Sequence, residues 1–103
     1  MTDPPSNWSV LEAYDDEETG EQGYMFVNAI ETHYVIIEYC SVFNYPYGIS
    51  FTQIKGSATM IGIESGAYTA HVSTKEEAFA EAIKTMEFID SKLRDLEIPA
   101  YLN

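Results

Sequence analysis

The first 54 residues of this chain contain no lysine and no arginine, and the first basic residue is Lys55. The whole 103-residue chain has five basic residues against 17 acidic ones, a formal net charge of −12. Binding to nucleic acid or to an anionic membrane surface needs Lys and Arg beside the phosphates, so the composition argues against both. It favours a basic protein partner, with solubility alone as the alternative explanation of the charge.

Cysteine is also scarce, and long apolar stretches are absent. Cys40 is the only cysteine and lies in the apolar run "YVIIEYCSVF", so we expect a buried, inert thiol and no internal disulfide. No apolar stretch approaches the ~20 residues of a membrane-spanning helix. The start, "MTDPPSNW", has neither the positive charge nor the apolar run of a signal peptide. We therefore expect a soluble, cytoplasmic protein.

The sequence offers no convincing motif for metal binding or catalysis. The acidic run from Asp15 to Glu21 has the first oxygen ligands of a calcium loop, but the twelfth position would be Phe26 instead of the required Glu. His33 and His71 have no ligand spacing with a neighbour, and no Gly-rich phosphate loop is present. Nothing pairs Cys40 with an activating base. We predict no metal, no cofactor and no enzymatic activity.

The chain does contain a strong β pattern. From residue 23 onward, β-branched and aromatic runs alternate with turn residues, which predicts strands at 23–30, 33–43, 49–53, 57–64 and 67–72. Both parities of the run 33–43 are apolar, as is typical of a central strand. Residues 8–14 fit a short helix or a strand equally well, and the pattern leaves both open.

Turn lengths predict which strand residues share a face. A two-residue turn at Ser65-Gly66 and a three-residue loop at 54–56 would make one face apolar and the other largely polar, with His71 on the polar side. The residues expected on the buried face are Ile49, Phe51, Ile61, Ile63, Tyr68, Ala70 and Val72.

The last part of the chain reads as one long amphipathic helix. Thr74 is the expected N-cap, with Glu77 completing a capping box, and Pro99 marks the stop. Phe88 falls outside the apolar stripe, on the outer face of the helix. The predicted stripe, which should pack on the sheet, consists of Phe79, Ala82, Ile83, Met86, Ile89, Leu93 and Leu96.

The expected fold is one α+β domain spanning residues 1–103. It has a loose lead at 1–7, an antiparallel β-meander of about five strands within 23–72, and a C-terminal helix at 74–97 packed on one face.

We predict a small acidic intracellular protein that inhibits a nucleic-acid-handling protein, such as a nuclease, by binding its basic surface as a nucleic-acid mimic. An immunity protein to a toxin nuclease and a phage anti-defence inhibitor both fit this description. Carboxylates would steer the encounter, and aromatic side chains would anchor it. The predicted partner-binding residues are Tyr14, Asp15, Asp16, Glu17, Glu18, Glu21, Tyr24, Tyr45, Tyr47, Glu77, Glu81 and Phe88.

The alternative is a self-associating structural or accessory protein. One helix covers only one face of its sheet, so the uncovered face or Phe88 could serve a homodimer.

Overall fold

The computed structural model describes residues 4–15, 22–41, 43–54 and 68–96. Within these residues, five antiparallel strands form one sheet in the order β1-β2-β3-β4-β5, and one helix packs against it. This architecture confirms the predicted α+β fold. The predicted strand 57–64 and its two turns lie outside the described residues. The elements are β1 (Trp8–Asp15), β2 (Gln22–Asn28), β3 (His33–Tyr39), β4 (Tyr47–Gln53), β5 (Tyr68–Val72) and α1 (Lys75–Asp95).

The ambiguous segment at residues 8–14 is a strand. It pairs along its length with β2, from Trp8 opposite Asn28 to Asp15 opposite Gln22. The register shifts between Val10 and Glu12, so Leu11 is an extra residue in a β-bulge. Pairing with the neighbouring strand satisfies the backbone of this short segment, and a helix of seven residues would be marginal alone.

A second bulge corrects the predicted face of Tyr68. Ile49 pairs with Ala70 but Ser50 pairs with Tyr68, so Thr69 is the extra residue. The Thr69 hydroxyl donates to the Ile49 carbonyl at 3.2 Å and helps to hold this bulge. Because one extra residue reverses the side-chain alternation, Tyr68 turns away from the core and is 51% exposed.

The core lies between the sheet and α1. The helix packs on β3, β4 and β5, and Phe79 reaches β2, where its ring lies 4.8 Å from that of Tyr24. The predicted stripe is buried except for Ile83, which is half-buried, and Leu96, which is 48% exposed at the helix end. The buried apolar residues are Trp8, Phe26, Val35, Ile37, Ile49, Phe51, Ala78, Phe79, Ala82, Met86, Ile89 and Leu93.

The helix begins where the sequence predicts. The Thr74 hydroxyl accepts the Glu77 backbone N–H at 3.1 Å and donates to the Glu77 carboxylate at 3.0 Å. This pair satisfies one of the free backbone donors of the first turn and fixes the start of the helix.

Cys40 is exposed, whereas the sequence predicted a buried thiol. The apolar run was expected to continue as a strand to residue 43, but β3 ends at Tyr39. Cys40 instead enters the turn before β4, where its backbone N–H donates to the Pro46 carbonyl at 2.8 Å. Its side chain therefore leaves the packed region with the turn.

One buried carboxylate ties the first strand to the last helix. Asp90 is 8% exposed and accepts the Trp8 indole N–H at 3.1 and 3.2 Å. It also accepts the Asn7 side-chain amide at 3.0 Å. Asn7, which the sequence grouped with a loose lead, is thus 5% exposed and anchored. These contacts link the two ends of the described part of the chain.

A second polar cluster shapes the turn between β2 and β3. The Asn28 side-chain oxygen accepts the backbone N–H groups of Thr32 and His33 at 2.8 and 3.1 Å. The Asn28 amide donates to the Thr32 hydroxyl at 2.7 Å, and that oxygen lies 2.9 Å from His33 Nδ1. Glu31 takes a positive φ of 54° to complete the turn. Burial lowers the pKa of His33, because the charged imidazolium would lose hydration there.

Removing the Asp90 carboxylate should destabilise the fold. Asp90→Ala leaves the Trp8 and Asn7 donors without an acceptor, and we expect a loss of about 2–3 kcal/mol in the free energy of unfolding. Asp90→Asn, which keeps one acceptor oxygen, should lose less. Glu87→Ala, an exposed position on the same helix, is the matched control and should stay within about 0.5 kcal/mol. Denaturant unfolding measures all three, and equal losses for Asp90→Ala and Glu87→Ala would contradict the assignment.

Acidification should destabilise the protein through His33. A folded-state pKa below the usual 6.5 means that the unfolded chain binds the proton more readily. The stabilisation is therefore full above pH 6.5 and declines as the pH falls toward the folded-state pKa. We expect His33 to contribute a loss of up to about 1.4 kcal/mol between pH about 7.5 and 5.5.

The matched measurement compares unfolding at the two pH values in wild type, His33→Gln and His71→Gln. Comparing the pH slopes, instead of the stabilities themselves, separates the proton linkage from the cost of the substitution. A slope that persists unchanged in His33→Gln would contradict the role of His33.

Candidate functional site

Basic residues are unevenly distributed between the two layers of the fold, although α1 itself carries six acidic residues against four basic ones. The Lys and Arg residues of the described ranges, Lys75, Lys84, Lys92 and Arg94, all lie in α1. The described strands carry none, while exposed Glu12 and Glu38 lie on β1 and β3. The sheet face turned away from α1, which we call the outer face, is therefore bordered by acids and contains no base among the described strand residues.

The outer face is apolar along β2 and β3, as the two apolar parities of the run 33–43 predicted. Half-buried Met25 and Ile36 pair across β2 and β3, and Val27 pairs with Tyr34 next to them. Leu11, displaced by its bulge, is 55% exposed and lines a shallow groove with Val27 and Tyr34. Toward β4 and β5 this face carries Thr52 and exposed His71, as expected, and also Tyr68, which was expected on the buried face.

The acidic run is only partly described. Tyr14 and Asp15 end β1, where their backbones pair with Gly23 and Gln22. The remaining predicted residues of the run, Asp16, Glu17, Glu18 and Glu21, lie outside the described residues.

The two helix carboxylates predicted to bind a partner have intramolecular contacts. Glu77 accepts the Thr74 hydroxyl at the helix start. Glu81 forms an ion pair with Lys84 at 3.1 Å, one turn further along. An exposed pair of this kind adds little stability, so Glu81 can still exchange its partner, whereas Glu77 has a capping role.

The predicted aromatic anchors fall into different environments. Tyr24 is half-buried against Phe79, and the Lys75 ammonium lies 5.2 Å from its ring centroid. Tyr47 is the first residue of β4 instead of a loop residue, and its ring packs 5.0 Å from that of Tyr39. Both residues contribute to the core as well as to the surface.

Two of the predicted anchors are exposed. Tyr45 lies in the turn between β3 and β4 and is 59% exposed. Phe88 is 38% exposed on the outer side of the helix, as the sequence predicted, and the Lys92 ammonium lies 5.5 Å from its ring centroid.

The structure brings Tyr45 together with aromatic residues that the sequence had not selected. Phe43, Tyr45, Tyr68 and His71 surround one open depression together with Asn44; we call these five residues the aromatic cup. Phe43 is 56% exposed and its ring lies 6.2 Å from that of His71. The Tyr68 and His71 rings are 4.7 Å apart. Exposed large aromatics in one cluster are typical of binding surfaces.

A glycine allows the cup to form. Glu38, Gly48 and His71 lie side by side across β3, β4 and β5. The Tyr68 ring crosses over Gly48 and its hydroxyl donates to the Glu38 carboxylate at 3.0 Å. A Cβ at position 48 would lie 2.6 Å from Tyr68 Cε1, which no side chain could accept without displacement of the ring. The sequence shows a glycine at position 48 but not its structural role. That role depends on the bulge at Thr69, which places the Tyr68 ring over Gly48.

The hydrogen bond to Glu38 raises the pKa of Tyr68, with the negative charge of Glu38 acting in the same direction. Both effects favour the neutral phenol. The contact is consequently present below the usual tyrosine pKa of 10.0 and is lost as the pH rises through the shifted value.

Metal and membrane features are not found in the described ranges. No group of three or more His, Cys, Asp or Glu side chains there could hold a metal ion. No helix among those residues has the length and hydropathy needed to cross a bilayer.

No protein-family model, curated protein or solved structure matches this chain. Its function must therefore be inferred from the chemistry of its own surface.

Gly48→Ala should open the cup without disturbing the core. The added methyl group displaces the half-exposed Tyr68 ring and breaks its hydrogen bond to Glu38, so the Tyr68 pKa should fall back toward 10.0. Glu38→Gln should also lower the Tyr68 pKa, because it removes the negative charge beside the phenol. Glu12→Gln, on the same face, is the control and should leave the Tyr68 pKa unchanged. Ultraviolet titration of tyrosinate, with Tyr68→Phe to assign the signal, measures the shift. An unchanged Tyr68 pKa in Gly48→Ala would contradict this geometry.

Proposed function

We propose that this protein binds a basic surface of a nucleic-acid-handling protein, such as a nuclease, and inhibits it by occupying the site of the nucleic acid. The observation that carries this proposal is the large acidic excess, together with the restriction of the described basic residues to one layer of the fold. The formal net charge is −12, and the described Lys and Arg residues are confined to α1 on the other side of the sheet.

Charge of this kind acts mainly on the encounter. A negative surface accelerates association with a positive one and excludes nucleic acid and other acidic proteins. The grooves that bind nucleic acid are strongly basic, because they must neutralise phosphates. The carboxylates that border the outer face would pair with the same basic groups as the phosphates do. Binding of this protein would therefore compete directly with binding of nucleic acid.

Affinity requires more than charge, because exposed charges contribute little once solvated. Interfaces depend on a few well-placed aromatic and apolar anchors surrounded by polar contacts. The outer face offers half-buried Met25, Val27, Tyr34 and Ile36, and its β5 edge carries the aromatic cup. An apolar strip bordered by acids suits a basic partner with apolar residues at the centre of its contact surface.

The biological setting is inferred by analogy of chemistry alone. An immunity protein that neutralises a toxin nuclease and a phage protein that blocks a host nuclease are two settings that fit a small acidic chain of this kind. In either setting the inhibited activity is cleavage or binding of nucleic acid.

Neutralising the acidic run should weaken binding in a salt-dependent way. The triple variant Asp16→Asn, Glu17→Gln, Glu18→Gln removes three charges from the run. The matched control, Glu76→Gln, Glu87→Gln, Asp95→Asn, removes three exposed charges from the helix layer. We expect the run variant to associate about tenfold more slowly at low salt and the helix variant to change much less.

The measurement begins with capture of partners from native lysate on the tagged protein at low and high salt, followed by their identification. The captured protein is then assayed for nucleic-acid binding and cleavage, with and without wild type and each triple variant. The proposal fails if no basic partner is retained, if the partner's activity is unaffected, or if the two triple variants behave alike. Recovery of the chain itself as a stable oligomer, broken by Phe88→Glu, would instead support self-association.

A further inference from the structure

We propose that the aromatic cup, together with Glu38, is a binding site for an arginine side chain presented by the basic partner. This inference rests on the proposed function, since it names the chemical group that the acidic surface receives. It concerns Glu38 on β3, together with residues on β5 and in the turn before β4.

The rings of the cup offer the right surface for a cation. Phe43, Tyr45 and Tyr68 are each more than half exposed, so a large part of each side chain is accessible to a ligand. An aromatic face carries negative electrostatic potential and attracts ammonium and guanidinium groups, with about 0.5–2 kcal/mol per contact. Three such rings around one depression concentrate this attraction.

A carboxylate is already positioned beside the rings. Tyr68 donates to Oε2 of Glu38 at 3.0 Å, which orients the carboxylate across Gly48. A carboxylate has about four lone-pair sites, so this single hydrogen bond leaves it able to accept a guanidinium. Stacking on aromatic rings and pairing with a carboxylate are the two interactions that arginine combines best.

Two other rings of the molecule already lie beneath lysine ammonium groups. Lys75 lies over Tyr24 and Lys92 lies over Phe88, at 5.2 and 5.5 Å from the ring centroids. Both lysines belong to α1 and already lie over other rings. Among the described residues, the strands and the turn before β4 supply no Lys or Arg to the cup, and the cation proposed here belongs to another molecule.

Arginine fits better than the other basic side chain. Its guanidinium is planar, weakly hydrated and able to fork onto a carboxylate while lying flat against a ring. The lysine ammonium is a compact, strongly hydrated point charge, which gains less from a flat aromatic surface. An apolar side chain would use the rings but not Glu38. These differences in ligand preference make the proposal testable.

The experiment uses the full chain and four blocked tripeptides, glycine-X-glycine, in which X is arginine, lysine, citrulline or leucine. Citrulline matches arginine in shape but has no charge. Binding is followed by NMR at the resonances of Phe43, Tyr68 and His71. We expect the arginine peptide to bind with a Kd in about the millimolar range, and each of the others at least about fivefold more weakly.

Variants test the carboxylate of Glu38 and the aromatic rings of the cup separately. Glu38→Gln and Tyr68→Ala should each weaken the arginine peptide by about fivefold or more. Tyr34→Ala removes a tyrosine elsewhere on the outer face and is the matched control for Tyr68→Ala. Gly48→Ala tests the seating of the Tyr68 ring, and Tyr68→Phe keeps the ring while removing the hydrogen bond to Glu38. A folded NMR spectrum is required of each variant before titration.

Three results would overturn the arginine site. Equal binding of citrulline or leucine would show an apolar depression, and equal binding of lysine would show unspecific attraction by a chain of charge −12. Indifference to both Glu38→Gln and Tyr68→Ala would place the peptide elsewhere.

The peptide measurement tests the arginine site, and the capture of partners tests the proposed function, so each proposal can be refuted without the other. Suppose that a basic partner is retained and is inhibited equally by wild type and Tyr68→Ala, and that the arginine peptide does not bind. This result would refute the arginine site but not the proposed function. If the arginine peptide binds specifically but no basic partner is retained from the lysate, the proposed function is refuted and the arginine site stands.

Discussion

The arrangement of the whole molecule depends on one buried carboxylate. Asp90 accepts hydrogen bonds from Trp8 and Asn7, residues 82 and 83 positions away. A meander places each strand beside the next, but nothing in that local pairing decides how the final helix lies across the sheet. α1 packs on β3, β4 and β5, and Asp90 links its C-terminal half to the start of β1. A buried carboxylate is costly unless it is satisfied, so this link favours one orientation of the helix over alternatives.

Two bulges account for most of the difference between the expected surface and the observed one. The extra residue Leu11 puts an apolar side chain on the outer face, and the extra residue Thr69 turns Tyr68 outward. Each bulge shifts the alternation by one position, so the strand residues before the bulge change face relative to the strand residues after it. The Tyr68 ring needs Gly48 as its neighbour, so bulge, glycine and carboxylate act together to build the aromatic cup.

The predicted site and the observed surface overlap in part. Tyr45 and Phe88 are exposed where composition and helical spacing expected them, whereas Tyr24 and Tyr47 also pack against the core. Phe43 and His71 belong to one surface only in the folded chain, where the turn before β4 lies beside β5. A list of tyrosines does not distinguish these roles, because aromatic side chains suit a pleated, half-buried strand and an interface equally well.

The sequence by itself determined the fold class, the helix with its Thr74 cap and buried stripe, and the excess of acidic residues. These depend on residue type and short-range spacing, which a single chain displays directly. The tertiary structure decided that residues 8–14 are a strand, that Cys40 is exposed, and that Asp90 is buried. It also decided which face Tyr68 occupies and assembled Phe43, Tyr45, Tyr68 and His71 around one depression. Those outcomes depend on register and on contacts between residues far apart in the chain, and a one-residue bulge changes them without any signal in the local pattern.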